Sequence, residues 1–429
     1  MTRSAHAENV DRWDLSNVTN PSATPVLAGE KPGTGPPPPI SRNRLLGVDV
    51  VRATAILSMI FVHVWPTVWV TRVQPPAEPV GVLEWLNSAI TNRSMSLFVF
   101  CAGVSVALLT GGARRPAGGD VTVARRRLAL RSAALLPFGL ILLIMGESIL
   151  FSYCMWFLLL LPLVRLRSRT LFAASAVFSL ISPLCQFLAQ NHLGSPPIPG
   201  DEFSILTSPG DWPAWLFWFV TGPDTSYAVP LLLAGMGLGR LDLRSHAVRV
   251  RVMTAGLAVT VVFAMVAWLA AGPLGGARAV PAGQQPVPGS GEMPWILMLM
   301  MRPFGMFDIS IPMVATMIGT GLFLMGAFLI VMDRAPWQRI LWPFAATGSL
   351  ALTAYIGHFL LIRLLGRDEP ASFHVFVSVA ATVVVFSTVW RSWWRRGPLE
   401  WLVHRVTDLA VPYERRAHHP ATIRPAPRH

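Results

Sequence analysis

The sequence predicts an all-α fold: a polytopic transmembrane helix bundle of about ten helices with both termini in the cytoplasm. Three observations carry that expectation. Of 429 residues, 53% are hydrophobic and 13% charged, with a mean hydropathy of +0.51, a balance that soluble domains do not have. Apolar runs of about 20 residues, enough to cross ~30 Å of hydrocarbon, recur along the chain. The arginines lie in short clusters between those runs, so the formal charge of +13 and the pI near 11.2 follow from topology, and nucleic acid is not an expected partner.

The N-terminus, residues 1–41, is polar, carries the run Pro32-Gly33-Thr34-Gly35-Pro36-Pro37-Pro38-Pro39 and has no apolar core of signal-peptide type. It reads as a disordered cytoplasmic tail. A membrane domain follows over residues 42–395, with spans near 45–69, 94–112, 128–146, 148–165, 170–190, 227–241, 252–272, 309–332, 343–364 and 372–391. The third and fourth share a tight turn at Gly146-Glu147-Ser148, and the short sixth follows an aromatic stretch, Trp212 to Phe219, suited to the membrane interface. Residues 396–429 read as a second cytoplasmic tail.

Loops holding Arg114, Arg115, Arg125, Arg126 and Arg127, then Arg165, Arg167 and Arg169, then Arg240, Arg244, Arg249 and Arg251, alternate with arginine-poor ones. Positive charge stays inside, which puts these loops, Arg334, Arg339 and the tail from Arg391 to Arg416 in the cytoplasm and requires an even number of crossings. The outer loops carry acidic residues instead: Glu78 and Glu84, Asp201, Glu202, Asp211 and Asp224, and Asp368 and Glu369. None is long enough for an independent domain. Any chemistry is then built from helices, and ionisable residues at membrane depth become the evidence for it.

Cys101, Cys154 and Cys185 lie inside apolar runs without CxxC-type spacing, which predicts buried thiols and neither a zinc site nor a disulfide framework. His246, His404, His418, His419 and His429 on the inner side, and His192 and His374 near the outer surface, share no metal-ligand spacing, so no metal is expected. The run Ala234-Gly235-Met236-Gly237-Leu238-Gly239 has no preceding strand and reads as a close-packing helix face rather than a dinucleotide fingerprint.

The first span is different. It places Asp49, Arg52 and His63 in an otherwise apolar helix, where such groups are costly. Asp49 and Arg52, three apart, can pair on one face. Arg52 and His63, eleven apart, lie ~16 Å along the axis and within ~20° of one face. A structural Asp49–Arg52 pair with Arg52 snorkelling to lipid phosphates accounts for the inner end equally well. His63 is too deep for easy hydration and is the candidate base. His358, midway through the ninth span, has Tyr355 three residues earlier on its face; packing and function fit it equally. Asp308 suits the N-terminal dipole of the eighth span.

An Arg followed by ten residues and a His resembles the first-helix signature of acyltransferase family 3, membrane enzymes that acylate extracytoplasmic sugars, and Asp49-Val50-Val51-Arg52-Ala53-Thr54-Ala55-Ile56 is similar to their opening motif. The remainder resembles a sister group, the YeiB-like membrane proteins and the bacterial relatives of heparan-alpha-glucosaminide N-acetyltransferase. That likeness rests on Leu231 to Asp242, on Thr347 to His358, and on Gly397-Pro398-Leu399-Glu400-Trp401-Leu402, and extends from about residue 44 to 408. The heparan-type relatives carry Asn where this chain has His63 and their catalytic His in the first outer loop; here Val64 to Thr91 contains no histidine.

The resemblance implies an acyl-CoA donor, acetyl-CoA first, entering from the cytoplasm, a sugar-like or other small acceptor at the outer face of the cell membrane, and contact with lipid. Oligomeric state is left open, a homo-oligomer included. Under it, His63 takes the proton of the attacking hydroxyl or amine, and His358 or Tyr355 stabilises the oxyanion or orients His63. Arg52 binds the donor or holds the helix register through Asp49. Arg114, Arg115, Arg125, Arg126 and Arg127 bind CoA phosphates, or only set topology. The rival is a transporter or flippase, for which discontinuous helices at Pro223, Pro230, Pro303 or Pro312 would argue. A non-catalytic scaffold is a third reading.

Overall fold

In hydrocarbon a backbone finds partners only within itself, which favours helices over any open strand. The computed structural model describes residues 45–64, 93–146, 149–192, 204–274, 295–300, 309–365 and 373–408. They are helical with short connections and contain no strand. Residues 1–41, the carboxylates Glu78, Glu84, Glu147, Asp201, Glu202, Asp308, Asp368 and Glu369, and Pro303 lie outside the described residues.

The principal helices are α1 (Leu46–Val64), α2 (Arg93–Leu109), α3 (Gly119–Ile144), α4 (Ile149–Leu159), α5 (Ser168–His192), α6 (Trp212–Thr221), α7 (Pro223–Gly239), α8 (His246–Ala271), α9 (Ile311–Val331), α10 (Trp342–Ser349), α11 (Ala351–Leu364), α12 (Phe373–Trp393) and α13 (Pro398–Asp408). Each expected span overlaps helical residues, but the ninth falls on two helices, α10 and α11, and the fourth ends in a 3₁₀ turn. Six of the described helices, α1, α3, α5, α8, α9 and α12, are long and apolar enough to cross a membrane, and the bent pair α10–α11 makes a seventh if counted as one span. The second, fourth and sixth expected spans correspond to shorter helices, α2, α4 and α7, of 17, 11 and 17 residues.

Burial separates the centre from the rim. In α1, 72% of the apolar window is enclosed by other helices, against 11% in α8 and 17% in α12. The helix carrying Asp49, Arg52 and His63 is therefore the axis of the bundle, ringed by α2, α9, α10, α11 and α12. Small residues permit the closest approaches. A Cβ on Gly348 of α10 would overlap the carbonyl oxygen of Asp49, and one on Gly235 of α7 would overlap that of Phe100 on α2. The glycine run in α7 is thus a packing face. Cys101 and Cys154 are buried, but Cys185, expected to be buried, is exposed on α5, because it lies on the outward side of that helix, between the buried Pro183 and Gln186.

The basic segments meet at one end. Arg240, just past α7, donates from Nη1 to the carbonyls of Ala107, Thr110 and Gly112 and from Nη2 to Thr110 Oγ1 and the Val164 carbonyl. It ties the end of α2 and the 3₁₀ turn after α4 to α7. Arg249 similarly joins the start of α8 to the end of α9 through the Leu329 carbonyl and Asp333. At the opposite end Arg363 donates to the Met145 carbonyl, linking α11 to the turn after α3.

Helices α10 and α11 meet at an angle of 88°. Such a break leaves the first N–H groups of α11 without intrahelical partners. Glu400 of α13 supplies them: its Oε1 accepts from the backbone N–H of Leu352 (2.7 Å) and Thr353 (3.0 Å), and its Oε2 from Thr353 Oγ1 (2.6 Å). A carboxylate at a helix N-terminus also meets the favourable end of the dipole. The cap of α9 is Ser310, whose hydroxyl accepts from Met313 N–H.

Candidate active site

Helix α1 delivers His63 at its final turn, where α11 crosses it. The Nδ1 of His63 stands 3.2 Å from the Nε2 of His358, and the rings are stacked at 9° with centroids 5.4 Å apart. His358 is fully buried. Its Nδ1 lies 3.3 Å from the carbonyl oxygen of Ala354, one turn back in α11.

This chain of contacts fixes a tautomer assignment. A carbonyl only accepts, so His358 Nδ1 carries the proton; the neutral ring then accepts at Nε2 from His63 Nδ1–H. In a neutral His63 the basic nitrogen is accordingly Nε2. The wall around the pair is aromatic: Phe359 packs on both rings, at 4.8 and 4.1 Å, and Tyr355 meets His358 edge-on at 5.5 Å. Phe98 of α2 stacks on Tyr355 at 5.4 Å and touches Tyr153 of α4 at 5.6 Å. Two expected residues from distant spans, His63 and His358, are thus brought into direct contact, with Tyr355 beside them.

One level inward, Arg52 Nη1 pairs with Asp49 Oδ1 at 2.9 Å and Nη2 donates to Ser105 Oγ at 2.7 Å. The Asp49 side chain is 4% exposed and that of Arg52 22%, so the carboxylate is buried and the arginine side chain partly exposed. Arg52 and His63 share a helix face but do not touch. Helix α2 runs between the two levels: Ser105 contacts Arg52, Cys101 lies in electrostatic range of Arg52 and Tyr153, and Phe98 contacts Tyr355.

The loop arginines are elsewhere. Arg114, Arg115, Arg125 and Arg126 are exposed and Arg127 half-buried; Arg125 Nε donates to the Leu161 carbonyl at the basic end. None contacts the histidine pair among the described residues. Among the described residues no group of three His, Cys, Asp or Glu side chains converges in the manner of a metal site.

Two residues that the sequence offers without a role, Glu400 and Tyr153, and one that it passes over, Arg131, stand out in the fold. Glu400 sits in a stretch read as a tail, and only the fold shows which helix it caps. Tyr153, 3% exposed, has a hydroxyl without a hydrogen-bond partner among the described residues and lies in electrostatic range of Tyr355 and Cys101. Arg131 falls three residues into the expected third span, where an arginine passes as interfacial; α3 in fact begins at Gly119, which carries Arg131 into the bundle.

The sequence matches the family described as heparan-alpha-glucosaminide N-acetyltransferase, catalytic, over residues 44–265, and a family described as protein of unknown function (DUF418) over residues 293–410. No curated protein matches the chain. His63 lies in the first matched segment and His358 in the second, so the histidine pair is assembled from both. The first match spans just over half of the 429 residues, and the chain belongs to the heparan-alpha-glucosaminide N-acetyltransferase catalytic-domain family.

Proposed function

We propose that this protein is a multi-pass acyltransferase of the cell membrane, moving an acyl group, acetyl in the first instance, from cytoplasmic acyl-CoA to an extracytoplasmic sugar-like hydroxyl or amine. In this reading the basic end faces the cytoplasm with both termini, the chain crosses ten times, and the histidines lie toward the outer leaflet. One observation carries it: the 3.2 Å contact between His63 and His358, with Ala354 setting the tautomer. The membership of the acetyltransferase family supports the reaction class.

The mechanism follows from that contact. His63 Nε2 takes the proton of the acceptor as its oxygen or nitrogen attacks the thioester carbonyl. His358 holds the His63 ring and stabilises the positive charge that forms on it. The carbonyl oxygen becomes an oxyanion, to which the Tyr355 hydroxyl donates. Collapse breaks the carbon–sulfur bond, and the proton on His63 passes to the departing CoA thiolate, leaving acylated acceptor and CoA. Arg52, held by Asp49 and Ser105, serves the donor.

The test is transfer from labelled acetyl-CoA to glucosamine by the purified protein in nanodiscs. Transfer that His63→Ala abolishes supports the proposal; transfer unaffected by His63→Ala overturns the assigned base. A transporter reading has one observation in its favour, the 88° break between α10 and α11. In transporters such a helix end receives substrate or ion, whereas here Glu400 occupies its N–H groups. Substrate uptake into liposomes without CoA consumption would favour that alternative.

A further inference from the structure

Arg131 of α3 is a guanidinium that takes no part in the histidine pair or the Asp49–Arg52 pair. It lies on the stripe of α3 between Leu128 and Leu135, both core residues at 0% and 5% exposure, so it belongs to the inward face. Among the described residues it has no hydrogen-bond or ion-pair partner. A guanidinium at membrane depth with no carboxylate bonded to it is energetically unfavourable and is a candidate site of function.

Its surroundings say which ligand chemistry fits. Arg131 is in electrostatic range of Arg52 and of Glu400. Glu400 is committed to the N–H groups of Leu352 and Thr353 and to the Thr353 hydroxyl. Arg52 uses one terminal N–H for Asp49 and one for Ser105, and a guanidinium has five. Two like charges in electrostatic range of each other, with N–H groups left over, suit an oxyanion with several acceptor oxygens.

Distance narrows the anion further. His63 stands eleven residues beyond Arg52 in one unbroken helix, ~16 Å along its axis. That is comparable with an extended pantetheine arm between its phosphate and its thioester. Resting on the acyltransferase reading above, we infer that Arg131 and Arg52 form a two-guanidinium clamp for the pyrophosphate of the CoA donor, halfway through the bundle and one pantetheine length below the histidine pair. The exposed arginines at the basic end then lie outside the clamp.

The experiment is calorimetric titration of the full-length protein, in nanodiscs of zwitterionic lipid so that no anionic headgroup competes, with CoA and separately with inorganic pyrophosphate. Pyrophosphate competes with CoA in the wild type. Arg131→Gln weakens both ligands by at least about tenfold, the range expected for a lost charged hydrogen bond, Arg131→Lys by less, and Arg169→Gln, at the exposed basic end, leaves both unchanged. Wild-type affinity for CoA in Arg131→Gln overturns the clamp while leaving the acyltransferase reading intact. Binding of pyrophosphate that depends on Arg131, with no binding of CoA, leaves a phosphate site but overturns its assignment to the donor and, with it, the donor itself. Should Arg131→Gln fail to fold, the lysine variant and the wild-type competition decide: absence of competition sinks the clamp.

Discussion

His63 and His358 come within 3.2 Å of each other although 295 residues separate them. The contact is directional, because the Ala354 carbonyl holds one end of the chain and His63 Nε2 is the other. Removing His63 removes the basic nitrogen, and kcat in His63→Ala falls by ~10²–10⁴. His358→Ala loses only the orienting partner, so its loss is smaller. The double variant is no slower than His63→Ala, since groups acting as one unit are not additive. Rates that multiply in the double variant would separate the two histidines mechanistically.

The cap on α11 gives a prediction about stability. Glu400→Ala leaves two backbone N–H groups and the Thr353 hydroxyl without their acceptor, a loss of ~1–2 kcal/mol by analogy with N-cap removal. Hydrogen exchange should accelerate at Leu352 and Thr353 while protection along α9 stays as it was. Uniform acceleration over the whole bundle would show that α13 stabilises more than this one helix end.

Two glycines of neighbouring helices should respond in opposite directions. Gly348→Ala forces a Cβ into the Asp49 carbonyl and toward Ala53 N, with a cost of ~1–3 kcal/mol from overpacking and a lower Tm in detergent. Gly357 has nothing within 4 Å of an added Cβ. Gly357→Ala therefore gains the helix propensity of alanine, ~0.5–1 kcal/mol, and its Tm does not fall.

Arg240 tests whether shape or charge holds the basic end together. Its planar fork reaches four carbonyls and a hydroxyl on two neighbouring segments. Arg240→Lys keeps the charge but loses the fan of donors, and the expected loss is at least ~2 kcal/mol in denaturant unfolding from mixed micelles. A lysine variant as stable as the parent would mean that these carbonyls are equally well served by another donor.

Much of the architecture was legible because hydropathy and arginine spacing are local properties. The apolar runs all overlap helical residues, six of the described helices being long and apolar enough to cross a membrane, and the clusters around Arg114, Arg165, Arg240 and Arg334 came together at one end. What sequence could not give was helix length against membrane thickness: α4 ends at Leu159 and continues as a 3₁₀ turn, and the expected ninth span bends at Leu350. The intramembrane His63, Arg52 and His358 stood out by their cost in hydrocarbon. Their grouping did not, because α1 and α11 meet through the packing of Ile56, Ile60 and Val64 against Ala354, which no periodicity encodes. Arg131 was hidden by its nearness to Arg127, and Glu400 by a polar stretch that resembles any amphipathic tail.

The carboxylate that crosses from α13 to α11 also sets an order of events during synthesis. His358 is made well before residue 400, and until that residue has cleared the ribosome the helix bearing this histidine begins with bare amide groups. The helix that carries one of the paired imidazoles therefore acquires its cap late, and a ribosome stalled short of Glu400 would leave a nascent chain in which that helix begins uncapped.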